Sequence, residues 1–110
     1  MFQSEVQIRV RYSETDQMGY VYYGHYAMYY EVARVESLRQ LGLSYRELEE
    51  MGVMMPVLEN RSHYLAPARY DDLLRIVTTL REKPGVKIRF EYDIYNGGNT
   101  LIHKGETVLV

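Results

Sequence analysis

The sequence predicts an α+β domain, an antiparallel sheet of about five strands wrapped around one long central helix. Three observations carry this. Apolar and polar residues alternate from Phe2 to Tyr12 and again from Val86 to Ile94, the period of half-buried strands. Between those stretches, residues 24–41 switch to steps of three and four, the period of a helix with one apolar stripe. The later strand-like runs follow one another through short turns. That makes neighbours antiparallel and leaves one apolar face for the helix to cover.

In the first strand Phe2, Val6, Ile8, Val10 and Tyr12 share one face, while Gln3, Glu5, Gln7, Arg9 and Arg11 share the other. A polar loop, Ser13–Gly19, comes next and holds Asp16. The long helix is expected from about Gly24 to Leu41, with Tyr26, Tyr30, Ala33, Ser37 and Leu41 on its stripe. Glu31, Arg34, Glu36, Arg39 and Gln40 lie mainly off that stripe, and Gly42 is a natural stop. Tyrosines placed this way are expected in the core or an interface.

Ser44-Tyr45-Arg46-Glu47 has capping-box spacing and opens a short helix to about Met51, ended by Gly52. Val53–Tyr64 reads as a strand with Pro56 near its start, where a missing N–H is tolerable. Ala66-Pro67-Ala68 breaks it, Asp71-Asp72 punctuate, and Leu73–Leu80 is a strand-like run. Lys83-Pro84-Gly85 make a turn ahead of the strand Val86–Ile94. Asn96-Gly97-Gly98-Asn99 is a hairpin turn, since Asn and Gly accept positive φ. The return strand, Thr100–Val110, finishes in Thr107-Val108-Leu109-Val110 with no turn or polar tail, so the sequence is expected to end inside or at the edge of an element.

The 110 residues are 46% hydrophobic, which fits one domain over residues 1–110. A net charge of −2 with 25% charged residues indicates neither a nucleic-acid footprint nor a disordered acidic tail. The absence of cysteine excludes a disulfide framework and a thiolate metal site, and suits a reducing cytoplasm. The N-terminus lacks the basic-then-apolar build of a signal peptide, and no apolar run is long enough to span a bilayer. A cytoplasmic domain without metal or cofactor is therefore expected, since the three histidines also lack ligand spacing. There is no Gly-x-Ser-x-Gly elbow and no phosphate-cradling glycine loop.

The chemistry points to Tyr12–Arg34. Six of the chain's 12 tyrosines fall between Tyr20 and Tyr30. Asp16 is a carboxylate on a loop just ahead of a helix start. There a carbonyl could meet both a base and backbone N–H donors, because the first amides of a helix have no intrahelical partner. The plainer alternative is that Asp16 closes a turn.

The pattern Tyr12-x-Glu14-Thr15-Asp16-x-Met18-Gly19-x-Val21-Tyr22-x-Gly24-x-Tyr26, followed by Glu31-x-Ala33-Arg34-x-Glu36, resembles the signature of hotdog-fold acyl-CoA thioesterases. The branch it is most similar to contains 4-hydroxybenzoyl-CoA thioesterase and the Tol-Pal-associated acyl-CoA thioesterases. Tyr64-x-x-Pro67-Ala68-x-x-x-Asp71 and the three last strands agree, so the resemblance spans essentially the whole chain. It implies an acyl-CoA substrate, with Asp16 as the catalytic carboxylate and the backbone N–H of Tyr23 as oxyanion donor. A thioester carbonyl is already electrophilic and its thiolate leaves readily. Hydrolysis then needs a positioned water or a carboxylate nucleophile, plus donors aimed at the oxyanion. Which of the two roles Asp16 plays stays open. The resemblance also implies that relatives continue past Val110.

Gly24, His25 and Tyr26 at the helix start are candidates to line the substrate, as are Glu59, Arg61 and His63 on the second strand. Asn60 beside them could also line a pocket, although for each of these four taken singly a plain strand position is the simpler expectation. His25 stands where family members commonly carry Asn; packing or substrate lining is expected there, against a competing role in proton transfer. Glu14 could share a face with Asp16, and paired carboxylates would raise one pKa, yet surface solvation is the simpler expectation. Arg69, Arg75 and Lys87 could meet CoA phosphates, although scattered cations on strands usually form solvated faces. One sheet around one helix leaves an exposed edge and a tyrosine-rich surface, so a homodimer or homotetramer with the site at the subunit boundary is expected. Two other functions stay open: a non-catalytic hotdog module that binds an acyl chain or serves as a dimerisation scaffold, and a hotdog hydratase or dehydratase. The second usually pairs a His with the acid, and no matching His motif is present.

Overall fold

A computed structural model of the chain describes residues 1–42, 44–52, 54–82 and 85–110. Five strands form one antiparallel sheet: β1 (Phe2–Arg9), β2 (Val57–Tyr64), β3 (Leu73–Leu80), β4 (Ile88–Tyr95) and β5 (Leu101–Leu109). Their spatial order is β1-β3-β4-β5-β2. Helix α1 (Tyr26–Gln40) lies on one face, and the short α2 (Tyr45–Glu50) follows it. This is the wrapped α+β architecture the sequence predicts.

The strand alternation places β1 as expected. Phe2, Ser4, Val6 and Ile8 turn inward, whereas Gln3, Glu5, Gln7 and Arg9 are exposed. The strand stops earlier than its pattern suggests. Val10 and Asp71–Asp72 exchange backbone bonds (Val10 N–H to Asp72 O, 2.9 Å; Asp71 N–H to Val10 O, 2.9 Å), and the chain turns away. Tyr12 is consequently 76% exposed instead of facing the core.

On α1, Tyr26, Tyr30, Ala33 and Ser37 are buried as the stripe predicts, joined by Tyr29, Arg34 and Leu38. Leu41 falls past the end of the helix and is exposed. Arg34 departs most from expectation. It is 6% exposed, with Nη1 donating to Tyr92 Oη at 3.1 Å and Thr107 Oγ1 at 3.2 Å. Two sheet hydroxyls make burial of that cation tolerable, since a buried charge needs hydrogen-bond partners.

Tyr30 reaches deepest. Its ring stacks on Tyr92, with centroids 4.4 Å apart and planes 3° from parallel, and it lies in the space Gly105 leaves on β5. Ser44 Oγ accepts from Glu47 N–H at 3.1 Å, the first half of the expected capping box. In the β4–β5 hairpin Asn96 Oδ1 accepts from the N–H groups of Gly98 and Thr100, both at 3.0 Å, and Asn99 takes the positive φ of 62°. Val53 and Lys83-Pro84, expected in a strand and a turn, lie outside the described residues. Val86 precedes β4 and is exposed.

Candidate active site

Residues 15–21 fold back on themselves as a tight loop. Asp16 N–H donates to Tyr20 O at 2.8 Å and Gly19 N–H to Asp16 O at 3.0 Å, with Gly19 at φ 79°, a conformation that favours glycine. The Asp16 side chain takes part: Oδ1 accepts from Met18 N–H at 2.9 Å and Tyr20 N–H at 3.3 Å. Asp16 therefore does close its own turn. Doing so occupies one oxygen and fixes the carboxylate. Among the described residues Oδ2 receives no hydrogen bond.

From that loop the chain runs into a single 3₁₀ turn, Tyr23–His25, that leads directly into α1. His25 N–H donates to Tyr22 O at 2.9 Å, and Tyr26 N–H donates to Tyr23 O. The N–H groups of Tyr23 and Gly24 precede the first available acceptor, as helix-start amides do. Among the described residues neither finds one. Asp16, Tyr23 and Tyr26 meet on the wall of an open cleft of about 340 Å³, together with Met18, Tyr20, Val21 and the segment Tyr64–Pro67. The guanidinium of Arg69 sits over the Tyr20 ring, 5.0 Å from its centroid.

Gly24 is exposed in the middle of that turn, covered on one side by the Tyr22 ring. His25 is half-buried and off the cleft wall. Its ring meets Tyr22 edge-on at 6.3 Å, and among the described residues its buried Nδ1 has no hydrogen-bond partner. That position matches packing at the helix start.

Glu59, Arg61 and His63 do not reach the cleft. In register with β5, Arg61 stands opposite Glu106 and His63 opposite Lys104, and these four side chains share the sheet face away from α1. Glu59 keeps to the same side as an ion partner of Arg61. Their alternates face the helix. Asn60 Oδ1 accepts from Thr107 Oγ1 at 2.7 Å, Ser62 Oγ lies 2.6 Å from Tyr30 Oη, and Tyr64 packs edge-on against Tyr26 at 5.6 Å. Sequence alone does not place them, because β2 is polar on both faces, and without a hydrophobic face a strand's pattern does not say which parity points inward.

Two residues near the site were read differently or passed over. Glu14, expected in solvent, is 5% exposed. Its Oε1 accepts from Arg11 N–H and Tyr29 Oη, each at 2.9 Å, and its Oε2 accepts from the Arg11 guanidinium at 3.0 and 3.1 Å. Burial alone would raise its pKa, but the Arg11 and Tyr29 hydrogen bonds outweigh that and hold it below the usual carboxylate value. His103 is fully buried, with Nε2 2.5 Å from Tyr30 Oη and its ring stacked on Tyr26 at 4.0 Å. Burial, helped by the charge of His63, pushes its pKa down to about 4. Period two counted back from Thr107 through Gly105 would have placed His103 inward.

Residues 18–103 match the sequence profile of the thioesterase superfamily. The chain belongs to that superfamily. It is 38% identical over 103 residues to the acyl-CoA thioester hydrolase YbgC of Escherichia coli O6:H1, a span of 94% of this chain and 77% of that protein. It is 36% identical over 104 residues to the acyl-CoA thioesterase YbgC of Haemophilus influenzae, covering 94% and 75%. Among solved structures, the DHNA-CoA thioesterase of Staphylococcus aureus superposes with a TM-score of 0.96 at 33% identity, over 100% of this chain and 74% of that one. The fold is thus the hotdog fold that the motif implied.

Proposed function

We propose that this thioesterase hydrolyses acyl-CoA thioesters to a free acid and CoA, with Asp16 as general base. The observation that carries the reading is the asymmetric hold on Asp16, whose Oδ1 is pinned by two amides while Oδ2 is left open on the cleft that the Tyr23 turn also lines. Oδ2 takes a proton from a water, and the water oxygen adds to the carbonyl carbon. The oxyanion is stabilised by the Tyr23 N–H. The tetrahedral intermediate then expels the thiolate as the C–S bond breaks, and the proton on Asp16 passes to the leaving sulfur. Tyr26 and Gly24 border the acyl group.

The active unit is a homodimer or homotetramer with the cleft at a subunit boundary. β2 is an edge strand, exposed over most of its length, and an open edge of this kind invites pairing. Exposed Tyr23 and Tyr64 line the cleft, and the exposed Tyr22 ring packs beside Tyr23. The cytoplasm, where the cysteine-free composition sits comfortably, is the proposed compartment. Among the described residues no helix is long and apolar enough to cross a membrane.

Asp16→Asn tests the assignment. The change is isosteric, so the fold should persist while kcat on the best acyl-CoA falls roughly a hundredfold or more, the scale of losing a positioned base. A variant that keeps most of its turnover removes Asp16 from the mechanism. Single turnover in ¹⁸O-water separates base from nucleophile, since label recovered in the Asp16 carboxylate would mean attack on the carbonyl and a mixed anhydride.

A further inference from the structure

Glu14 is bound on three sides to parts of the chain that the proposed chemistry depends on. Its carboxylate holds Tyr29 Oη, one turn inside α1, at 2.9 Å. The same carboxylate grips the chain just past β1 through the backbone and guanidinium of Arg11. Its own carbonyl accepts the Tyr22 N–H at 2.8 Å, immediately before the Tyr23 amide. Asp16 is two residues away along the chain, and Thr15 bridges to Val21 across the loop. At 5% exposure the carboxylate is shielded from water, which would otherwise compete for these bonds. Tyr29 in turn packs edge-on against Tyr26, a wall of the cleft, at 5.7 Å.

We propose that Glu14 is a positioning residue for thioester hydrolysis, a carboxylate clamp that fixes the Asp16 loop and the Tyr23 turn against α1. The proposal rests on the reading of Asp16 and Tyr23 given above. Glu14 has no place on the wall of the cleft that Asp16 lines. It acts by setting the distance between a base on one side of the loop and an oxyanion donor on the other. Misplacement of about 1 Å at such a pair costs on the order of a hundredfold in rate. An exposed Arg–Glu pair would have no such effect. What separates Glu14 is that its fourfold-held carboxylate is buried and bonds a helix hydroxyl.

The test compares Glu14→Ala, Glu14→Gln and Tyr29→Phe with the wild type and with Asp16→Asn on one acyl-CoA. kcat, KM, melting temperature and far-UV circular dichroism are read for each. Glu14→Ala should lower kcat tenfold or more with KM within about threefold, because a displaced loop loses transition-state contacts and keeps uniform binding. Glu14→Gln still accepts from Tyr29 Oη and the Arg11 N–H, and should recover most of that loss. Tyr29→Phe keeps the ring and removes only the helix-side bond, so it should reproduce part of the kcat loss even if Glu14→Ala does not fold. Wild-type kcat in folded Glu14→Ala, or in Tyr29→Phe should Glu14→Ala fail to fold, overturns the clamp. So does a kcat loss that merely follows the fall in melting temperature across the series. If Asp16→Asn is inactive in that same experiment, the clamp alone has failed. If Asp16→Asn is active, the underlying assignment has failed, whatever Glu14 does.

Discussion

Tyr30 occupies the volume that a side chain at residue 105 would need. A Cβ built on Gly105 would overlap the Tyr30 hydroxyl and Cζ and lie 2.6 Å from Cε1. This one glycine lets the central helix settle onto β5, and it seats the hydroxyl between Ser62 Oγ and His103 Nε2. Tyr30 is 1% exposed and cannot swing away as a surface ring would.

Gly105→Ala should therefore destabilise the fold by about 1–3 kcal/mol or more, the usual cost of overpacking a filled core. Chemical denaturation of the two proteins checks it. An unchanged midpoint would mean that α1 rides farther from β5 than described.

The oxyanion donor proposed for Tyr23 is its backbone, so Tyr23→Phe should leave kcat nearly unchanged. Gly24→Val should behave differently. A Cβ there would come 2.8 Å from Cε2 and 3.2 Å from Cδ2 of Tyr22, and it must push that ring or the turn itself. Since Tyr22 is 45% exposed, its ring has room to yield, and stability should suffer less than activity. The loss in kcat should approach the hundredfold to thousandfold that removal of an oxyanion donor costs elsewhere. An inactive Tyr23→Phe beside an active Gly24→Val would move the contact from the amide to the hydroxyl.

His103 sets a pH dependence of stability. Its pKa falls from 6.5 to about 4 on folding, because burial disfavours the charged ring. Between those values the unfolded chain binds a proton that the folded chain refuses. Stability is thus fully present above the unfolded pKa and lost as pH falls through this window. At about 1.4 kcal/mol per pKa unit, the loss is on the order of 3 kcal/mol. Urea midpoints measured at neutral pH and at the acid end of the window should differ accordingly, and His103→Gln should shrink the difference. An equal slope in the variant would assign the acid sensitivity to other groups.

Arg61→Ala and His63→Ala should each leave kcat within about threefold of wild type. Both side chains lie on the outer sheet face beside Lys104 and Glu106, away from Asp16. A hundredfold drop in kcat from either would bring that face into the catalytic step.

Much of this protein could be read from its residues in order. Strict alternation in β1 and β4, the helical stripe through Tyr26, Tyr30, Ala33 and Ser37, and the Asn96–Asn99 turn are local patterns. A chain segment obeys such patterns wherever it sits, because strand and helix periods follow from backbone geometry. The loop that carries Asp16, and its place ahead of the helix start, were legible for the same reason. Tertiary structure decided the rest. Burial of Glu14 depends on Tyr29 of α1 packing over the turn that Arg11 caps three residues earlier, and His103 owes its lowered pKa to the helix laid over it. The facing of Glu59, Arg61 and His63 was fixed by the register of β2 on β5. A strand polar on both sides has no transfer free energy to choose its inner face, so pairing with its neighbour chooses for it.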